Sequence, residues 1–411
     1  MNMGNLIVGQ SGGPTSVINS SLAGVYKTAK DRGANKVYGM IHGVKGLLEG
    51  RYVDLANHVR TDLDLELLMR TPSSFLGTCR YKLPEIGEND AIYEDIFRIL
   101  YKLDIRYLLY IGGNDSMDTI YKLYKYATVK NININFMGVP KTIDNDVAVT
   151  DHTPGFGSAA KYIGAVFKEL IRDGLVYGTE QVSIIEIMGR NAGWLTAAAS
   201  LAKGEDCEGP DMILLPEVPF QRDVFLERME TMVRLKKSVV IAVSEGVKLR
   251  DGRYVCELTE TPKPVDPFGH KSLGGAAFVL ANLAAKQIGC KTRPIDLGAL
   301  QRSAAHIVSR VDITEAYQAG GQAVKSAFNG ETGKVIIFTR TSDDPYDVIT
   351  ESVDAERVAN IEKKVPLEWI TENGTYVAKE LTDYIRPLIQ SELTPIMVNG
   401  LPRHLLLNPM L

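Results

Sequence analysis

The chain has 411 residues, 45% of them hydrophobic and 23% charged, a globular balance that excludes a disordered or fibrous protein. At roughly 150 residues per domain, this length corresponds to two or three domains. With 46 basic and 50 acidic residues the net charge is −4, which leaves no electrostatic footprint for nucleic acid or anionic lipid.

The first ten residues, MNMGNLIVGQ, run straight into a strand-like segment and lack the basic start of a signal peptide. Short apolar, β-branched runs predict strands at 6–8, 37–40, 107–111, 135–139, 182–187, 212–215, 239–243 and 335–338. Amphipathic stretches predict helices at 17–32, 90–102, 117–128, 158–173, 194–202, 224–236 and 275–288. Strands alternating with helices build mostly parallel sheets covered by helices, and ligands then collect at the carboxyl ends of the strands. A proline-rich loop is predicted at 259–275, and a domain break near 151–156, where a Thr-Pro-Gly turn precedes a long helix. The longest uncharged apolar stretches, such as 274–285, fall short of the roughly 20 residues of a membrane span. Four scattered cysteines (Cys79, Cys207, Cys256, Cys290), none in a CxxC pair, fit a reducing cytoplasm.

Three strand ends in the first half carry unusual loops. After 6–8 come Gly12 and Gly13, which let backbone N–H groups and a helix start approach an anion. After 107–111 come two glycines, then Asn114, Asp115 and Ser116 at a helix start. After 135–139 come Lys141, Thr142, Ile143, Asp144 and Asp146. Read singly, the first loop is more readily a tight turn, and the second is equally a capped helix. The third packs four functional groups into six residues, a set suited to binding Mg²⁺ and supplying a general base. Together they place two anion cradles, a lysine and several carboxylates on one sheet edge, which suits phosphoryl transfer. In the second half Met188, Gly189 and Arg190 follow one strand and Glu245 follows another, with Arg293 and Arg302 further on. No G-x-x-x-x-G-K-[ST] is present, which excludes a P-loop enzyme. Gly155 to Ala160 match a dinucleotide pattern, but a turn rather than a strand precedes them.

The segments SGGPTSVIN, LGTCR, GGNDS, PKTIDND, IMGRNAG, SEG and LGALQR occur in the order found in the phosphofructokinases, and the chain resembles their pyrophosphate-dependent branch most. The resemblance implies an α/β fold of two Rossmann-like three-layer αβα domains, with mostly parallel sheets and the active site in the cleft between them. It implies a phosphoryl-donor domain from 1–155 plus about 301–345, and a fructose 6-phosphate domain from 156–300 plus about 346–411. The implied reaction is the reversible Mg²⁺-dependent phosphorylation of fructose 6-phosphate to fructose 1,6-bisphosphate, with pyrophosphate as donor and phosphate as product, in a cytoplasmic homodimer or homotetramer.

Carried over residue by residue, Asp144 is the general base for the C1 hydroxyl, beside Thr142 and Ile143. Met188, Gly189, Arg190 and Glu245 bind fructose 6-phosphate, and Arg293 and Arg302 hold its 6-phosphate, one of them across a subunit interface. Gly12, Gly13, Arg80, Ser116 and Lys141 lie on the donor side, and Asp146 near the magnesium. The ATP-using branch resembles the chain except for glycines where Asp115 and Lys141 stand. A carboxylate about 4 Å from a nucleotide α-phosphate costs roughly 1 to 4 kcal/mol, so Asp115 argues against ATP, while Lys141 stabilises charge on the transferring group. Three departures from the family pattern stand out. Asn114 replaces a frequent magnesium-binding Asp, Gln181 an arginine, and Ala299 a histidine or tyrosine that touches the sugar. The competing readings are an ATP-dependent phosphofructokinase, a non-catalytic regulatory subunit, which the retained Asp144, Asp146 and Lys141 oppose, and a dinucleotide-dependent oxidoreductase.

Overall fold

The computed structural model describes residues 4–258 and 273–407. Most of the proline-rich loop predicted at 259–275 therefore lies outside the described residues.

Eleven strands form two main sheets. The first sheet holds β1 (Asn5–Gln10), β2 (Val37–Met40), β3 (Tyr52–Asp54), β4 (Ile105–Gly112), β5 (Asn135–Pro140), β10 (Lys334–Asp343) and β11 (Tyr346–Asp354), in the order β11-β10-β5-β4-β1-β2-β3. Its centre is parallel, and β3 and β11 close the edges antiparallel. The second sheet holds β6 (Gln181–Ile187), β7 (Met212–Leu214), β8 (Ser238–Ser244) and β9 (Lys291–Asp296), all parallel, in the order β7-β8-β6-β9.

Side chains alternate across each sheet, so successive residues feed opposite cores. Leu6, Val8, Leu109, Ile111 and Val139 enter one cluster, while Ile7, Leu108, Tyr110 and Phe136 enter another. In the second sheet Ile185, Ile187 and Ala242 face one cluster, and Ile184, Ile241 and Val243 face the other. Each sheet is thus the middle of an αβα sandwich. The covering helices are amphipathic: in Asp90–Lys102, which spans the predicted residues, Tyr93, Ile96, Phe97 and Leu100 are buried at helical spacing.

Several elements escape the sequence patterns, among them the helices Gly43–Leu48 and Asp62–Arg70. Strand β9 is an edge strand with a Pro in it and little apolar content, tolerated because an edge leaves one ladder unmade. Strands β3 and β11 are likewise half-exposed edges. The helix Arg310–Phe328 carries Gly320 and Gly321 in its interior, which reads as a break. These glycines instead let it cross the helix Ile18–Asp31 backbone to backbone: a Cβ at Gly24 would lie 2.0 Å from the Tyr317 carbonyl oxygen, and one at Gly320 2.0 Å from that of Ser21. The helix predicted at 194–202 tightens halfway, into Trp194–Ala197 followed by a 3₁₀ turn over Ala198–Ala202.

The turn at 151–156 leads into the helix Phe156–Leu175. The N–H groups of Gly155 and Ser158 both donate to Asp312, at 2.8 Å each, so a protein carboxylate already occupies this helix start. None of the four cysteines forms a disulfide. Among the described residues no helix is long and apolar enough to cross a membrane.

Candidate active site

The carboxyl ends of β1, β4 and β5 lie side by side, and the loops that leave them are tied together by backbone bonds. The Ser11 N–H donates to the Ile111 carbonyl at 2.9 Å, Gly12 N–H to Cys79 at 3.2 Å and Lys141 N–H to Gly112 at 2.9 Å. Gly12, at φ +76°, turns the β1 loop, and the Thr78 hydroxyl fixes its carbonyl at 2.6 Å. The Lys141 side chain doubles back beneath this loop, 1% exposed, and donates to the Gly13 carbonyl. Space alone does not demand glycine here, and it is the positive φ of Gly12 that favours it. A Cβ at Gly12 would lie 3.5 Å from Lys141 Nζ, and one at Gly13 3.6 Å from Arg302 Nη1. Burial brings the Lys141 ammonium down to about 8, opposed by Asp144 and Asp146 and reinforced by Arg302 and Arg80.

From 141 to 147 the chain alternates. Lys141, Ile143, Asn145 and Val147 are buried, whereas Thr142, Asp144 and Asp146 are half-buried on the other side. Ile143 packs into the core of the second half, so only its backbone can face a substrate. The Asp144 N–H donates to Thr142 Oγ1 at 3.1 Å, and burial raises its carboxyl above the usual range, opposed by Lys141, Arg190 and Arg302. Burial pushes Asp146 up to about 7, with Asp144 and then Glu362 adding to it.

Asn114 opens the helix Asn114–Val129, with Asp115 beside it in the first turn. Its Nδ2 lies 3.4 Å from Asp146 Oδ2, and its Oδ1 is buried without a hydrogen-bond partner. An orphaned amide oxygen next to a carboxylate that burial makes proton-hungry is a pair of hard oxygen donors, and it fits a Mg²⁺ ion that takes its other ligands from phosphates and water. Among the described residues no three His, Cys, Asp or Glu side chains gather as a self-sufficient metal cage. Ser116 is buried and its hydroxyl fills the space beside Gly112, where a Cβ would come within 2.0 Å of it.

The second sheet contributes its own strand ends. Gly189, after β6, sits at φ +137°, and a Cβ there would meet the Ala192 carbonyl oxygen at 2.7 Å, so this turn requires glycine. The Met188 N–H donates to Gln301 at 3.1 Å, Gly189 N–H to Glu245 Oε1 at 3.3 Å and Ser244 Oγ to the Gly189 carbonyl at 2.6 Å. Glu245, after β8, is pushed up to about 7 by burial, with Asp144 next in effect. Arg302, on the short helix Leu300–Ser303, loses basicity to burial and to Arg80, while Asp144 and Glu245 restore some of it.

The fold therefore brings Lys141, Asp144, Asp146, Arg80, Arg190, Glu245 and Arg302 within electrostatic reach of one another, each acting on others in the set. Residues 5–327 match the phosphofructokinase family model. The chain belongs to the phosphofructokinase family. It is 36% identical over 403 residues to the pyrophosphate–fructose 6-phosphate 1-phosphotransferase of Halomonas elongata, covering 97% of this chain and 95% of that one. To the protein of the same name from Methylococcus capsulatus it is 38% identical over 408 residues, 98% and 96% of the two chains. The crystal structure of the pyrophosphate-dependent phosphofructokinase from Marinobacter aquaeolei aligns with a TM-score of 0.86 at 36% identity, covering 97% of this chain and 95% of that one. The paired αβα sandwiches are thus the phosphofructokinase fold.

Two residues carried over from the family resemblance stand apart from the cluster. Arg293 lies in the middle of β9, opposite Ser183 of β6, short of the strand ends. There it pairs with Asp173 at 3.3 Å and lies 5.0 Å over the ring of Tyr177. Ala299 is exposed at the start of the short helix that carries Arg302, and offers only a methyl group. The sequence reading missed Glu362, whose charge acts on both Asp144 and Asp146 and whose Oε1 accepts from Asn191 at 2.7 Å. A bridge between Val147 and Glu362 brings it there from more than 200 residues away, a contact no local pattern carries.

Proposed function

We propose that the protein catalyses reversible phosphoryl transfer from pyrophosphate to the C1 hydroxyl of fructose 6-phosphate, giving fructose 1,6-bisphosphate and phosphate. The observation that carries this reading is the buried Lys141 held beneath the Gly12–Gly13 loop, a fixed cation where a bare diphosphate has no nucleoside to anchor it. Asp115, at the adjacent helix start, sets a carboxylate where the α-phosphate of ATP would lie. The names of the three relatives given above agree with this donor.

Asp144 takes the C1 proton. Its burial raises its proton affinity toward the working range of a general base. Lys141, with Arg80, Gly12, Gly13 and Ser116, holds the transferring phosphoryl and the departing phosphate. Asp146 and the Asn114 amide oxygen would hold Mg²⁺, which would supply neutralising charge to the donor. Arg302 binds the 6-phosphate. Thr142, the backbone at Ile143, and Met188 to Arg190 with Glu245 orient the sugar. Ala299 leaves room there, and Arg293 reaches a sugar phosphate only from a second copy of the chain, in a homodimer or homotetramer. We read 1–155 with about 301–345, extended by β11, as the donor half, and 156–300 with most of 346–411 as the sugar half, in an enzyme of the reducing cytoplasm.

A coupled assay run with pyrophosphate and with ATP tests the reading. Turnover of fructose 6-phosphate with pyrophosphate and Mg²⁺, reversal with fructose 1,6-bisphosphate and phosphate, and at least about a tenfold lower kcat/KM with ATP are expected from the charge at Asp115. Equal or better use of ATP would overturn it.

A further inference from the structure

We propose that Lys363 and Tyr384, which lie beyond the part of the chain matched by the family model, are positioning residues that hold the Asp144–Asp146 loop in its working shape. This rests on the reading that Asp144 and Asp146 perform the chemistry.

Asn145 stands between the two carboxylates and is 0% exposed, with the left-handed φ of +53°. Its side chain points inward, so those of its two neighbours lie on the opposite, half-buried side. Both ends of its amide are held from the C-terminal segment. Lys363 Nζ lies 3.3 Å from Oδ1, and Nδ2 donates to the Tyr384 hydroxyl at 2.9 Å. The same ammonium donates to the carbonyls of Thr150 at 3.2 Å and Asp151 at 2.5 Å, so its three N–H groups meet three acceptors. The Lys363 backbone N–H donates to the Asp146 carbonyl at 2.7 Å, and the Tyr384 hydroxyl to that of Asp151 at 2.5 Å.

Lys363 thus ties three points of one loop, 145, 150 and 151, through its ammonium and a fourth, 146, through its backbone. These acceptors are an amide and carbonyls rather than carboxylates. A largely buried cation bonded directly only to neutral groups, with the Asp151 and Asp146 carboxylates acting on it from further off, is a costly way to gain stability. Its geometry is instead suited to fixing a backbone that would otherwise relax out of the left-handed region. The Trp194 indole, 5.1 Å from the ammonium, and Arg340, 4.7 Å over the Tyr384 ring, close the nest.

The test compares Lys363→Met, Tyr384→Phe and Thr382→Val in the full chain. Thr382 lies on the same short helix as Tyr384, and its hydroxyl meets Ser200 at 2.9 Å, a purely internal contact. Lys363→Met is expected to lower kcat about 10- to 100-fold with KM for both substrates within about threefold, because displaced groups rather than lost contacts limit it. Tyr384→Phe, which removes the bonds to Asn145 and Asp151 together, should lower kcat about three- to tenfold, part of the worth of those two hydrogen bonds. Thr382→Val should lower Tm and leave kcat unchanged. If Lys363→Met does not fold, Tyr384→Phe decides. Wild-type kcat in folded Lys363→Met or Tyr384→Phe, or an equal kcat loss in Thr382→Val, would overturn the proposal. Should Asp144→Asn abolish turnover while those variants keep it, only this inference fails. Should Asp144→Asn itself keep turnover, the underlying assignment fails.

Discussion

The charged groups at the edge of the seven-stranded sheet are buried more deeply than those at the edge of the four-stranded sheet, where Glu245 is desolvated too but also accepts from the strand-end backbone. On the first edge Lys141 is sealed under the Gly12–Gly13 loop and Asp146 is pressed against Asn114. On the second, Glu245 accepts the Gly189 N–H, Met188 leans on Gln301, and Arg302 keeps partial contact with solvent. The first edge gathers Lys141, Asp144 and Asp146 within one chain. The second leaves Arg293 on an outer strand, outside the cluster. On the proposed function the two edges do different work. A desolvated, preorganised edge stabilises charge that develops during transfer, and a more open edge selects and releases a sugar phosphate.

If that division holds, substitutions on the first edge change kcat and those on the second change KM. The largest effect is expected for Asp144→Asn, a kcat loss on the order of 10²–10⁴ with the far-ultraviolet circular dichroism unchanged. Near-normal turnover would break the comparison at its base. Next, Arg302→Ala should raise KM for fructose 6-phosphate about 10- to 100-fold, the worth of a charged phosphate contact of about 1.5–3 kcal/mol, with kcat changed less than about threefold. A kcat loss of equal size would show that the edges do not work separately.

The smallest effect is one of pH. Burial holds the Glu245 carboxyl at about 7 rather than 4.5, so its carboxylate is lost as pH falls through 7, not through the ordinary acidic range. With Mg²⁺ and pyrophosphate saturating, kcat/KM for fructose 6-phosphate should fall up to about tenfold per unit below that value and level off above it. Glu245→Gln should lower the plateau and make this limb shallower. An unchanged limb in that variant would move the titration to another group.

The first edge was also the more legible in sequence. Its strands are short apolar runs bounded by glycines, because central parallel strands are buried on both faces and their loops must turn sharply. The alternation from Lys141 to Val147 places chemistry at every second position, so the spacing of Asp144 and Asp146 carried real information. The second edge was partly legible: strand-end Arg190 and Glu245 were visible, but β9 was not, because an exposed edge strand needs no apolar pattern. The helix Arg310–Phe328 was hidden by the two glycines that let it pack closely. Glu362, Lys363 and Tyr384 were invisible for a different reason. Their roles come from contacts more than 200 residues apart, and nothing in their local sequence differs from an ordinary charged surface.

The central claim is that Asp115 and Lys141 set the donor, and the most direct measurement is the ratio of kcat/KM with pyrophosphate to that with ATP in Asp115→Gly/Lys141→Gly. Removing the repelling acid and the anchoring cation together should lower that ratio by about two decades or more relative to the parent enzyme, from the like-charge term and the lost charge stabilisation combined. A ratio equal to the parent's, in a double variant that folds and still binds fructose 6-phosphate, would contradict it.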